Sequence, residues 1–187
     1  MDVDGVRQGS CAACGFRFAG RRALALGFIA EAPRQFAEVL AIDAGVGAAA
    51  PASTGWSPLD LTAHVADTLW QAVAEVSRVA HTPEEVVVRV SFPPRPERDL
   101  EREQVLHSLR FSAATLLAAA SRLPAALWLS SVRMDDAEMS LLELVQRCAH
   151  ECRHHLADVE RIVAEEARAA AAPARMTAGA GAVTRRG

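Results

Sequence analysis

The chain contains no lysine, no tyrosine and no asparagine, and all 20 of its basic residues are arginine. The missing types have AT-rich codons, so their absence reads first as the coding bias of a high-GC bacterial genome. What fills the space is Ala, Leu, Arg and Glu, the strongest helix formers. An excess of positive charge is also lacking. The net charge is -3, which excludes the basic stripe of a nucleic-acid binder. No apolar run reaches the ~18 residues that a membrane span requires. The opening MDVDGVRQGS is acidic and polar, without the positive start and apolar core of a signal peptide. These absences together predict a cytoplasmic protein. Cysteine is scarce as well: Cys11, Cys14, Cys148 and Cys152, which in the cytosol are expected as reduced thiols. A length of 187 residues favours one domain. Such a chain buries roughly 70% of its unfolded surface, so its core needs no staple.

Local signals divide the chain into an N-terminal arm (1–20) carrying CAAC, a helical body (21–170) and an Ala/Gly-rich tail (171–187) without apolar periodicity, expected to be disordered. Helix 1 is predicted from about Arg22 to Ile42, followed by the Gly/Ala/Pro loop DAGVGAAAPASTG. Helix 2 has a clear start: Ser57 as N-cap, Pro58 at the first helical position and Asp60 as the acidic capping partner. It should run to about Ala80. The following HTPEEVVVRVSFPPRPE has β-branched character, but its prolines confine it to a short extended piece. Helix 3 is predicted over about Asp99–Arg122, and residues 123–139 read as a connector turning at Asp135 and Asp136. Ser140 and Glu143 form a capping box for helix 4, which should reach Ala170. Four long helices without a convincing sheet predict an all-α four-helix bundle. Trp70 and Trp128 are assigned to core or interface packing, and Phe28 and Phe36, eight apart on helix 1, to the core.

Helix 4 carries three histidines and a glutamate within HECRHH. Two pairs at i,i+4 could each present both side chains on one face: His150 with His154, or Glu151 with His155. Stepping ~100° per residue and setting His155 at zero, Leu141, Leu144, Cys148, Val159 and Ile162 fall within roughly 40°, and Glu151 lies at about -40°. His154 and His150 fall near -100° and -140°, roughly with Glu143, Arg147 and Arg161, which assigns them to the flank or the solvent face. A carboxylate on an apolar stripe is costly unless it is paired, protonated or bound to a cation. Either a divalent metal satisfies Glu151 together with the neutral imidazole of His155, or Glu151 pairs an arginine and His155 is an ordinary core histidine. His64, on helix 2, sits at the edge of a polar arc with Asp60, Asp67 and Gln71. Taken alone it reads as a surface histidine.

The segment GWSPLDLTAHVAD resembles the start of helix 2 in the DinB/YfiT-like superfamily, where a Trp-Ser pair is followed, seven residues after the Ser, by a metal-ligand histidine. HECRHHLADVERI resembles the last bundle helix of that superfamily, and most of all the H-E-x-x-x-H-x-x-D pattern of the mycothiol-dependent maleylpyruvate isomerase branch. The resemblance implies a DinB-type bundle with His64, Glu151 and His155 as metal ligands, in agreement with the face chosen by periodicity. The His/Glu/His set departs from the commoner three-histidine form. That isomerase carries a further C-terminal domain for which this chain is too short, so maleylpyruvate itself is not implied. The CxxCGF arm resembles the start of some actinobacterial DinB-like proteins.

The resemblance further implies a metal with an open position that takes a low-molecular-weight thiol. A divalent cation lowers a thiol's pKa and holds a nucleophile ready at neutral pH. Nitrogen and oxygen ligands suit zinc, nickel, manganese or iron, with zinc favoured. The activity expected is metal-dependent thiol transfer to, or isomerisation of, a small electrophile. In it Asp158 positions a group at the site, or else is a helix-edge partner of Arg153 or Arg161. One alternative is a non-catalytic metal-binding or interaction bundle. Another places a structural zinc on Cys11 and Cys14, completed by Cys148 and Cys152 if the arm folds back. Partners are expected to be small molecules rather than nucleic acid or membrane, and bundles of this type often dimerise.

Overall fold

The computed structural model describes residues 9–18, 21–42, 55–81, 101–134 and 137–179, with backbone alone at 134 and 170–179. Residues 43–54 of the loop predicted over Asp43–Gly55, the VVVRV segment, the predicted turn residues Asp135 and Asp136 and the end of the tail from 180 lie outside the described residues. In chain order the elements are α1 (Arg22–Ala41), α2 (Pro58–His81), α3 (Arg102–Ser121), a short 3₁₀ turn (Ala125–Leu129), β1 (Ser131–Met134), β2 (Ala137–Ser140) and α4 (Leu141–Gly179). None of the helices among the described residues is long and apolar enough to cross a membrane.

Both predicted capping boxes form. The Ser57 backbone N–H donates to Asp60 Oδ2 at 2.8 Å, and the Asp60 N–H donates back to Ser57 Oγ at 3.2 Å. At α4 the Ser140 N–H donates to Glu143 Oε2 at 2.7 Å, and the Glu143 N–H donates to Ser140 Oγ at 3.2 Å. These reciprocal bonds satisfy N–H groups that an uncapped helix leaves orphaned, and they fix the entry of the two helices that carry the candidate ligands. The predicted connector 123–139 is more ordered than a turn: β1 and β2 pair antiparallel, Ser131 opposite Ser140 and Met134 opposite Ala137. Four-residue strands are too short to show the alternation by which a strand is recognised in sequence. Backbone helix in α4 runs to Gly179, past Ala170, through a stretch whose alanines favour it.

The four helices pack as a ring in which α4 touches α1 on one side and α2 on the other, while α3 closes the ring between α1 and α2. The core takes Ile29, Phe36 and Leu40 from α1, Val65, Leu69 and Val76 from α2, Leu109 and Leu116 from α3, and Leu141, Leu144, Cys148, Val159 and Ile162 from α4. The α4 residues are those of the predicted stripe. The buried arc extends further, to Val145, Ala149, Leu156 and Val163. Its centre is therefore displaced from His155, which puts Glu151 and His155 at the seam toward α2 rather than in mid-core. Phe28, assigned to the core by its spacing from Phe36, is instead 41% exposed, and its ring meets Phe16 of the arm at 5.6 Å.

Residues 9–18 of the arm form a tight hairpin. The Cys11 N–H donates to the Phe16 carbonyl and the Gly15 N–H to the Cys11 carbonyl, each at 2.8 Å, and Ser10 bridges Arg17. Gly15 closes the turn at φ 70°, a conformation costly for residues with a Cβ. Phe16 is buried and Phe18 half-buried, and both rings lie against His150 of α4, at 5.7 and 4.9 Å.

Candidate metal centre

The adjacency of α2 and α4 brings three distant side chains to one point. His155 Nε2 lies 3.1 Å from Glu151 Oε2, and His64 Nε2 lies 3.7 Å from the same oxygen. One ligand atom from each of the three falls within 4.8 Å of the other two. Tetrahedral bonds of about 2.0–2.2 Å to N and O ligands would hold those atoms roughly 3.3–3.6 Å apart, so the donor set fits a divalent cation with small side-chain rotations. Exposure falls from His64 (36%) through Glu151 (26%) to His155 (17%). The group therefore opens to solvent on the α2 side.

Glu151 has no arginine partner among the described residues. It faces His64, His150 and His155. Burial alone would raise its pKa, but the hydrogen bonds of His150, His155 and His64 outweigh burial and hold the carboxyl well below the usual carboxylate range. The arginine-paired alternative thus loses its partner. Trp56, placed just ahead of the Ser57 cap, sets its ring edge-on to His64 at 5.6 Å and forms a wall of the opening. The α2 wheel taken alone could not show His64 as anything but an edge residue, because its partners come from another helix.

Asp158 stands behind the ligands. Its Oδ2 is 3.5 Å from His155 Nδ1 and 3.5 Å from His154 Nε2, while Oδ1 is 3.5 Å from Arg161. The two histidine contacts are ion-pair separations rather than hydrogen bonds, and His155 Nδ1 is buried with no hydrogen-bond partner; Asp158 also groups with His154 and His155 closely enough to hold a cation. A cavity of about 690 Å³ lies between the arm, α1 and α4, lined by residues that include Cys14, Phe16, Phe28, Gln146 and Arg153. Neither His64, Glu151 nor His155 lines it.

The cysteines sort differently from the Cys₄ alternative. Cys148 and Cys152 are core residues, 0% and 2% exposed, and burial pushes the Cys148 thiol up to about 12. They point away from the arm and complete no site with it. His150 and His154, which the wheel assigns to flank or solvent, lie beneath the arm beside Cys11 and Cys14. The wheel counts only the bundle's own surface and not a hairpin folded over it. The sequence did carry a signal: C-x₂-C together with H-x₃-H is a zinc-ligand pattern.

The model of the DinB superfamily matches residues 21–159, which covers all four helices up to the ligand-bearing turns of α4. The chain belongs to the DinB superfamily. No curated protein and no solved structure matches it.

Proposed function

We propose that this chain is a divalent-metal-binding DinB protein whose His64–Glu151–His155 centre serves the transfer of a low-molecular-weight thiol, of the mycothiol type, to a small electrophile. The observation that carries the reading is the convergence of two imidazoles and one carboxylate from α2 and α4 on a single point open to solvent. Three protein ligands with an accessible face are the pattern of a reactive rather than a structural site. A cation held there supplies one thing: it lowers the pKa of a thiol brought to it. The chain supplies the rest. Glu151 contributes the negative charge that holds the cation against desolvation, Asp158 stands 3.5 Å from His155 Nδ1 as the acceptor that ring would take once it ligates, and Trp56 screens one side of the opening. Nitrogen and oxygen donors favour zinc over nickel, manganese or iron.

A second reading is a metal-binding bundle without turnover, in which the three ligands hold a cation that joins α2 to α4. The two are separated by experiment. Metal content of the untagged chain, measured by mass spectrometry, should fall by one equivalent in His64→Ala and in His155→Ala. An unchanged content rejects the centre. The metal-loaded chain should consume a chromogenic electrophile only when a thiol such as mycothiol is supplied, and His155→Ala should abolish this. Metal bound without any thiol-dependent consumption leaves the non-catalytic bundle.

A further inference from the structure

We infer that Cys11, Cys14, His150 and His154 form a second, structural zinc site that clips the N-terminal hairpin onto α4. It shares no ligand with the first centre. The four side chains each present a ligand atom within 4.8 Å of all the others. Cys11 Sγ and His154 Nδ1 are separated by 3.5 Å. Tetrahedral zinc with bonds of about 2.3 Å to sulfur and 2.0–2.1 Å to nitrogen spaces its ligands roughly 3.3–3.8 Å apart. The group therefore has the dimensions of a tetrahedral S₂N₂ site, a donor set that suits zinc.

Each half is shaped for the purpose. The hairpin bonds between Cys11 and Phe16 and between Gly15 and Cys11 form a tight C-x-x-C-G loop that turns both sulfurs to the same side. No disulfide joins the two. On α4 the spacing of His150 and His154 puts both rings on the face beneath that loop. His150 Nδ1 is turned toward Glu151 Oε1 at 3.6 Å, while its Nε2 is buried with no hydrogen-bond partner. A buried, unsatisfied nitrogen is costly, and a cation at this position satisfies it. His154 offers Nδ1 to the site with Nε2 facing Asp158 at 3.5 Å, the arrangement by which a carboxylate orients a ligating imidazole.

The hairpin has need of such a clip. A lone two-stranded hairpin is marginal in water. Among the described arm residues, Phe16 alone is a buried large side chain. Zinc binding energy is folding energy for small elements of this kind. Through His150 the clip also touches Glu151, so the arm buttresses the first centre without adding a ligand to it.

The test is cobalt substitution of the full-length, untagged, reduced chain. Two thiolates on tetrahedral cobalt give a sulfur-to-cobalt charge-transfer band in the near ultraviolet, which the His64–Glu151–His155 centre cannot give. The band should appear in the wild type and in His64→Ala, Cys148→Ala and Cys152→Ala. It should vanish, with loss of one zinc equivalent, in Cys11→Ser/Cys14→Ser and in His154→Ala. The wild type provides a second readout free of any folding defect: zinc should protect Cys11 and Cys14 from alkylation by N-ethylmaleimide, and a chelator should expose them. A wild type without the band, a band that survives Cys11→Ser/Cys14→Ser, a band lost in Cys148→Ala, or alkylation indifferent to zinc overturns the inference.

Discussion

Asp158→Asn isolates the role of one carboxylate with almost no change in volume. Asp158 Oδ2 is equidistant, at 3.5 Å, from the ring nitrogens of His154 and His155 that face away from the candidate ligand positions. When an imidazole binds a cation through one nitrogen, its other N–H needs an acceptor, and a carboxylate both fixes the ring and strengthens it as a donor to the metal. Loss of such a partner costs 10–100-fold in metal affinity. Here the contacts are long and the Asp158 side chain is 31% exposed, so water competes. The expected loss lies at the low end, about tenfold or ~1.4 kcal/mol at the His155 centre. The assay is competition for zinc or cobalt against a chromophoric chelator, with the helical content checked by circular dichroism. Arg161→Ala is the control. It removes the 3.5 Å ion pair on the other oxygen, which is solvent-exposed and worth little, and should leave affinity within about twofold. Unchanged affinity in Asp158→Asn, or an equal loss in Arg161→Ala, would reduce Asp158 to an arginine's surface partner.

Two further outcomes follow from burial. Phe36 is fully enclosed, so Phe36→Ala should cost about 3–5 kcal/mol in urea unfolding, whereas Leu129→Ala, at a side chain 76% exposed, should stay within ~0.5 kcal/mol; equal effects would mean that the core is misplaced. Burial raises the Cys148 thiol from its ordinary 9.0 to about 12, so the folded state holds that proton more tightly than the unfolded one. The associated stability is complete below pH 9 and is lost as pH rises from there toward 12. Unfolding midpoints measured below pH 9 and near pH 12 should show an alkaline decline that Cys148→Ala reduces, the remainder coming from Cys152, whose thiol burial also raises; an identical slope in the variant would remove Cys148 as a source.

Much of the fold is local, and local features are legible. Ser57 with Asp60 and Ser140 with Glu143 announce α2 and α4 because a capping box needs only residues three apart. The α4 stripe is legible because an apolar face repeats with the helix period. What escapes the sequence is whatever a neighbour decides. His64 is an unremarkable edge residue until α4 is laid beside α2. Phe28 has core spacing but emerges where the arm, not the bundle, covers it. His150 and His154 point away from the helical core, so a wheel sends them to solvent, and Phe16 and Phe18 bring the cover. Periodicity resolves the inside of a bundle from its outside, but it cannot see a segment that makes a second inside.

The placement of the two histidine-bearing pairs on α4 then has a geometric logic. His150/His154 and Glu151/His155 are both i,i+4 pairs, offset by a single residue, so their faces differ by about 100°. One faces the seam with α2 and the other the arm beside α1, and a helix packed on both sides is the element that can serve both at once. Asp158 lies four residues beyond His154 and three beyond His155, the two spacings at which helical side chains meet, so one carboxylate reaches behind both rings. The centres are thereby joined twice: through Asp158, and through the 3.6 Å approach of His150 to Glu151. The His150 ring, between the arm and Glu151, is the side chain through which a change at the arm would reach the first centre. Any change in metal affinity at His64–Glu151–His155 on deleting the arm's cysteines should therefore occur with the helices unmoved.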